Sequence, residues 1–217
     1  MNLVIECAYV KYHRSARAIV DMRSATEIPC GVHALVGESG AGKSTLMRLV
    51  AGWFACDRRT CSAPTIIYPS AAEVLYLSKD SILLPWFSVK HSIEIVAASF
   101  GRTVDWDSIR AWLAVAELGH GVLKMTPDKL SSGMAARLDL ACAFAANPSV
   151  LLIDEVIGLV PAKLRTKILN FLLTRRDCVT LIATHNQDIA QQAESIYTIS
   201  AEESSVRRLD VMMREAA

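Results

Sequence analysis

The sequence predicts an α/β fold organised around a parallel sheet, and three stretches predict it. His33-Ala34-Leu35-Val36 is a short apolar run of strand type; it leads into Gly37-Glu38-Ser39-Gly40-Ala41-Gly42-Lys43-Ser44-Thr45, and Leu46-Met47-Arg48-Leu49-Val50 continues as an amphipathic helix. Ser149-Val150-Leu151-Leu152-Ile153 is apolar enough for a strand covered on both faces, and it ends in Asp154-Glu155. Val179-Thr180-Leu181-Ile182-Ala183 reads as a further strand and ends in Thr184-His185.

The glycine-rich loop reads G-x-x-x-x-G-K-S, and each part has a chemical use. Glycines let successive backbone N–H groups turn inward around phosphate oxygens, while the following helix points its positive dipole end at them. Lys43 then reaches the β- and γ-phosphates as a point charge, and the Ser44 hydroxyl is placed to ligate Mg²⁺. Ligands of open parallel sheets gather at the carboxyl ends of the strands. Asp154 therefore falls where it would support Mg²⁺, and Glu155, one residue beyond, where it would orient or deprotonate an attacking water. His185 ends its strand at the same edge, either contacting a γ-phosphate or serving structurally.

Composition narrows the class. The 217 residues are long enough to bury one substantial core, and 52% hydrophobic against 21% charged residues describe a globular chain. Twenty-three basic and 22 acidic residues leave a net charge of +1, without the clustered positive excess that nucleic-acid binding needs. Six cysteines, at 7, 30, 56, 61, 142 and 178, form no C-x-x-C pair and fit a reducing compartment. The start of the chain has no secretory pattern, and Asp154 and Glu155 interrupt the best apolar run, so the chain is expected to be soluble in itself. A mean hydropathy of +0.30 is high for that class and implies surface that another protein covers.

In chain order, residues 2 to 36 are β-rich: Leu3 to Val10, Ala18 to Val20, and Val32 to Val36 after a Pro29-Cys30-Gly31 turn. Tyr9 and Tyr12 either lie against an adenine ring or pack on a sheet. The helix after the loop is expected to end near Gly52, and strands are expected at Pro64 to Tyr68 and Val74 to Leu77. Ser88 to about Gly121 carries helical spacing in two segments, one through Ile93, Val96 and Ala97, the other through Ile109, Trp112, Leu113 and Ala116. Leu130-Ser131-Ser132-Gly133-Met134 precedes an alanine- and leucine-rich helix over Ala135 to Ala146. Ser131 is a candidate N-cap there, and the Ser and Gly amides form either a second anion site or a plain capped helix. Val179 to Ala183 is expected to be the last strand.

Together these motifs resemble, over nearly the whole chain, an ATP-binding-cassette (ABC) ATPase subunit. Walker A falls at 37–45, the signature at Leu130-Ser131-Ser132-Gly133-Met134, Walker B with its glutamate at 150–155, and the switch histidine at His185. The resemblance implies a P-loop NTPase (RecA-like) core with an antiparallel β subdomain, about 1–85 and 139–217, and an inserted α-helical subdomain, about 86–138. It implies ATP and Mg²⁺ as ligands, with Gly37 to Thr45 around the phosphates and Tyr12 on the adenine. It also implies a head-to-tail homodimer, or heterodimer with another ABC ATPase subunit, in which Ser131, Ser132 and Gly133 of one subunit close on the ATP of the other. Leu83-Leu84-Pro85-Trp86-Phe87-Ser88-Val89 is similar to a segment of bacterial importer ATPases for nitrate, sulfonates and taurine. In those proteins the segment meets the membrane subunit, which implies integral membrane permease partners and a cytoplasmic, peripheral place on the inner face of the cell membrane.

Two positions depart from the family. Lys79 stands where the Q-loop glutamine belongs; its ammonium has only donors, would repel a metal, and has γ-phosphate oxygens as an alternative partner. Pro161 stands at the D-loop aspartate, a loss expected to weaken communication between paired sites. The expected activity is ATP hydrolysis coupled to transport, slowed by these two changes. The alternative is a degenerate nucleotide-binding module with a structural or regulatory role and little turnover.

Overall fold

The computed structural model describes residues 2–6, 8–10, 19–22, 25–53, 66–68, 73–201 and 207–213. Its N-terminal part is antiparallel. Strand β1 (Asn2–Ile5) pairs with β4 (Thr26–Pro29) and with β6 (Ile66–Ile67), while β2 (Ala8–Val10) pairs with β3 (Val20–Met22) in a separate ribbon. The single strand expected from Leu3 to Val10 is thus two strands in two sheets. Side-chain phase explains the break: Leu3 and Ile5 are buried, then Ala8 and Val10, so the inward positions switch from odd to even. The Pro29-Cys30-Gly31 step is the point where the chain passes from β4 to the main sheet.

That main sheet contains β5 (Gly31–Val36), β7 (Val74–Leu77), β8 (Val150–Asp154), β9 (Val179–Ala183), β10 (Ser195–Ala201) and β11 (Arg207–Met213), in the order β11-β10-β5-β9-β8-β7. All its pairings are parallel except β10 with β11. Val179 to Ala183 is therefore not the last strand. Tyr197 to Ala201 alternates apolar and polar residues; Ser195, Tyr197 and Ile199 are buried, and Ser195 to Ala201 extends the sheet on the far side of β5. Strand β8 is buried at every residue, as expected of a strand covered on both faces; Leu151, Leu152 and Ile153 each stabilise the fold by roughly 2 kcal/mol through burial alone.

Register places the site. Leu35 is level with Ala183, Ala183 with Asp154, and Ile153 with Leu77, so β5, β9, β8 and β7 end at one edge. Consecutive along the chain within this sheet, β5 and β7 are separated in space by β8 and β9, the kind of crossover that opens a crevice at the strands' carboxyl ends.

Helix α1 (Lys43–Val50) follows β5 and buries Leu46, Met47, Leu49 and Val50 beneath the sheet. The stretch between β7 and β8 holds α2 (Val89–Ser99), α3 (Trp106–Val115) and α4 (Ser132–Ala146). Ser88 caps α2 and Asp105 caps α3, and the two helices bury the Ile93/Ala97 and Ile109/Trp112/Leu113 stripes read from the sequence. Helix α4 runs through residue 138, so the helical segment and the core share one continuous element. They also share an aromatic cluster: Trp112 lies 4.6 Å from Phe144 and 5.2 Å from Phe171, the latter on α6 (Ala162–Leu173), which follows the short α5 (Val156–Leu159). The Trp112 indole N–H donates to the Arg137 carbonyl at 2.8 Å. Among the described residues, no helix is long and apolar enough to cross a membrane.

Candidate functional site

The ends of β5, β7 and β8 converge on a cleft of about 600 Å³, lined by Ser39 to Thr45 and Arg48 from the glycine loop and α1, Ser78 to Asp80 after β7, and Asp154 and Glu155 at the end of β8. The loop's shape depends on glycine at Gly42, whose φ of +103° lies in the left-handed region; a Cβ there would stand 2.7 Å from the Ile19 carbonyl. Lys43, the first residue of α1, is 6% exposed and donates to the carbonyls of Gly37 at 2.8 Å and Glu38 at 3.0 Å. Two of its three ammonium donors thus fix it against the loop, and among the described residues the third has no partner and can serve a ligand.

Asp154 is 6% exposed at the end of β8, and its two oxygens differ. Oδ2 accepts from the Tyr76 hydroxyl at 2.7 Å, whereas Oδ1 is buried with no hydrogen-bond partner among the described residues. That open carboxylate oxygen and the Ser44 hydroxyl, on residues lining one cleft, are a hard-oxygen donor set that fits Mg²⁺. Sequence reading overlooked Tyr76. Burial and its bond to Asp154 push the Tyr76 hydroxyl up to about 12, which keeps it a donor, and Arg48 Nε donates to it at 3.3 Å. The available signal was weak: a tyrosine in the strand next to Walker B.

Glu155 stands just past β8 with a φ of +58°, and both its oxygens are engaged. Oε2 pairs with the Lys79 ammonium, and Oε1 lies 3.4 Å from His185 Nδ1. Lys79 beside it holds the Glu155 carboxyl below the ordinary glutamate range; the same contact raises the Lys79 ammonium. The structure thus gives Lys79 a carboxylate partner, which the sequence reading did not foresee. Lys79, Glu155 and His185 also border a smaller hollow of about 170 Å³ with Gly158, Leu159 and Arg165.

Ser131, Ser132 and Gly133 do not line the cleft. Ser131 caps α4 through the Met134 amide, and Ser131 and Ser132 are exposed. A Cβ on Gly133 would come within 3.0 Å of the Leu159 carbonyl, so the start of α4 packs closely on the loop that ends in Pro161. Pro161 itself precedes the first turn of α6. Tyr12 lies outside the described residues, as does the side chain of Tyr9.

A second carboxylate overlooked in the sequence is Asp139, the one charged residue in Leu138-Asp139-Leu140-Ala141. It is 2% exposed on α4, and its Oδ1 accepts from the Ser81 hydroxyl at 2.7 Å and the Ile82 amide at 3.1 Å. Burial pushes its carboxyl up to about 6 despite these bonds. A lone aspartate in an apolar helix was the readable signal.

A strand–glycine loop–helix unit with an acidic strand end across the crevice defines a phosphate-loop nucleotide-binding protein. The ABC transporter family matches residues 26–158, and the chain belongs to that family. Among its relatives are the aliphatic sulfonates import ATP-binding protein SsuB 2 of Rhodococcus jostii, 36% identical over 72% of this chain and 62% of its own length, and the nitrate transport protein NasD of Klebsiella oxytoca, 30% identical over 72% and 63%. The chain thus spans less than two thirds of the length of these relatives. The fold is that of the bacterial ABC transporter cassette MJ0796 solved as a dimer, at a TM-score of 0.70 and 18% identity over 91% of this chain and 94% of that one. A post-hydrolysis dimer of the same cassette, bound to ADP and Pi, aligns over 100% of both chains at 0.72 and 18% identity.

Proposed function

We propose that this chain is the ATP-binding and ATP-hydrolysing subunit of a membrane importer. The observation that carries the proposal is the convergence in one cleft of Lys43 on its loop, Asp154 with a buried open oxygen, and Glu155 flanked by His185. Backbone amides from Gly37 to Thr45 and the free donor of Lys43 hold the phosphates, and Ser44 and Asp154 hold Mg²⁺, which neutralises charge on them when bound. Glu155 orients a water for in-line attack on the terminal phosphorus and accepts its proton, leaving ADP and inorganic phosphate; His185, on the far side of Glu155, steadies that carboxylate.

Several further features support the importer reading. The sulfonate relative is an import ATP-binding protein by name, and the nitrate relative is a transport protein by name. Trp86 is 89% exposed beside the exposed Phe87, a patch that fits a permease surface rather than a core. Ser131, Ser132 and Gly133, away from the chain's own cleft, fit a role in completing the site of a second ABC subunit, homomeric or heteromeric, at the inner face of the cell membrane. Tyr12 is retained as the adenine contact, and the helical subdomain as about 86–138.

The test is to recover the chain from its native membranes, identify what accompanies it, and assay MgATP hydrolysis. An integral membrane partner with turnover abolished by Glu155→Gln supports the proposal. Recovery with soluble proteins only, and no turnover above background, overturns it in favour of the degenerate regulatory module.

A further inference from the structure

The cleft carries two lysines in different states. Lys43 is buried and held by two carbonyls, while the Lys79 side chain is 62% exposed and its ion-pair partner is Glu155, 23% exposed. The backbone beneath Lys79 is secured: Ser78 Oγ accepts from the Asp80 amide at 3.2 Å, and Asp139 takes the Ser81 hydroxyl and the Ile82 amide. Ser92 Oγ accepts from the Leu84 amide at 3.1 Å. The ammonium is therefore a charged tip on a long stem, moving from a fixed base. It lines the same cleft as Ser39 to Thr45.

We infer that Lys79 selects the triphosphate: its ammonium leaves Glu155 for the terminal phosphate, so that Glu155 becomes available to water only when a third phosphate is present. This rests on the cleft being an ATP site. The physical ground is competition for one mobile cation. A terminal phosphate carries up to two negative charges and three acceptor oxygens, so at equal distance it attracts the ammonium about twice as strongly as a single carboxylate does. A diphosphate seated on the same loop lacks that group and leaves Lys79 on Glu155. The pair thereby occupies the carboxylate whenever hydrolysis has no substrate.

The test is titration calorimetry of the full chain with MgATP and with MgADP, in a Glu155→Gln background that leaves ATP intact and removes the carboxylate. Adding Lys79→Gln is expected to weaken ATP about tenfold and ADP by less than about twofold, with Lys79→Arg retaining most of the ATP affinity. Equal effects on both nucleotides, or none on either, overturn the inference. A loss of ATP affinity seen only when Glu155 is present also overturns it, because Lys79 would then merely neutralise that carboxylate. Lys43→Ala serves as the control: if it weakens ATP while Lys79→Gln does not, the ATP site stands and the Lys79 inference alone falls. If no variant and no parent binds nucleotide, both fall together.

Discussion

Two regions supply cations to the same cleft, and they are built in opposite ways. The 31–50 unit fixes Lys43 as the first residue of a helix, 6% exposed, with its ammonium clamped by two carbonyls of its own loop. The loop after β7 fixes its backbone through Asp139 and leaves the tip of Lys79 in solvent against an exchangeable carboxylate. The first arrangement costs no reorganisation when phosphate arrives; the second changes partner. A burial difference of this kind separates a permanent binding group from a responsive one.

The strongest way to break the comparison is at the carboxylate that Lys79 holds. Glu155→Gln is expected to lower steady-state turnover about a thousandfold while ATP binding persists, since general-base loss affects the chemical step. If phosphate release is unchanged, Glu155 is a salt-bridge partner only. Next in size, Lys43→Ala should weaken MgATP and MgADP alike by about a hundredfold, because its place on the loop serves both nucleotides. A selective loss of ATP affinity would give Lys43 the role argued for Lys79.

Asp139 sharpens the comparison from beneath. Its folded pKa of about 6 lies above the ordinary aspartate value, so between pH 4 and 6 the folded state keeps a proton the unfolded chain has lost. Stability therefore falls as pH rises through that window, and above it the buried charge costs up to about 3 kcal/mol. Asp139→Asn keeps an oxygen for Ser81 and Ile82, and is expected to flatten the pH dependence of denaturant unfolding there; an unchanged slope would mean Asp139 is ordinary. Smallest of all, Tyr76→Phe strips one donor from Asp154 and should cost about 1–2 kcal/mol of stability in the same assay. A neutral Tyr76→Phe would mean that Asp154 needs no second support.

Much of the fold was legible because its signals are local. The apolar runs of β5, β8 and β9, the cap at Ser131 and the stripes of α2 and α3 all depend on neighbours a few residues away. Strands β10 and β11 were missed although Tyr197 to Ala201 alternates, because pairing with β5, more than 150 residues earlier, is what makes Ser195 to Ala201 a strand. The split of Leu3 to Val10 was missed because a run of strand formers does not show where it changes sheet.

By itself, then, the sequence determined the chemistry on offer: a glycine loop with Lys43 and Ser44, two carboxylates closing a strand, and a histidine closing another. Residue types in fixed order along a strand–loop–helix dictate such groups locally. Only the tertiary structure decided which groups meet. The pairing of β7 with β8 brought Lys79 onto Glu155 and Tyr76 onto one oxygen of Asp154 while leaving the other open, and the packing of α4 brought Asp139 under the Lys79 loop. Those contacts join residues 58 to 78 positions apart. The pairing of distant strands and the packing of a helix against them, rather than the preference of any short segment, set their distances.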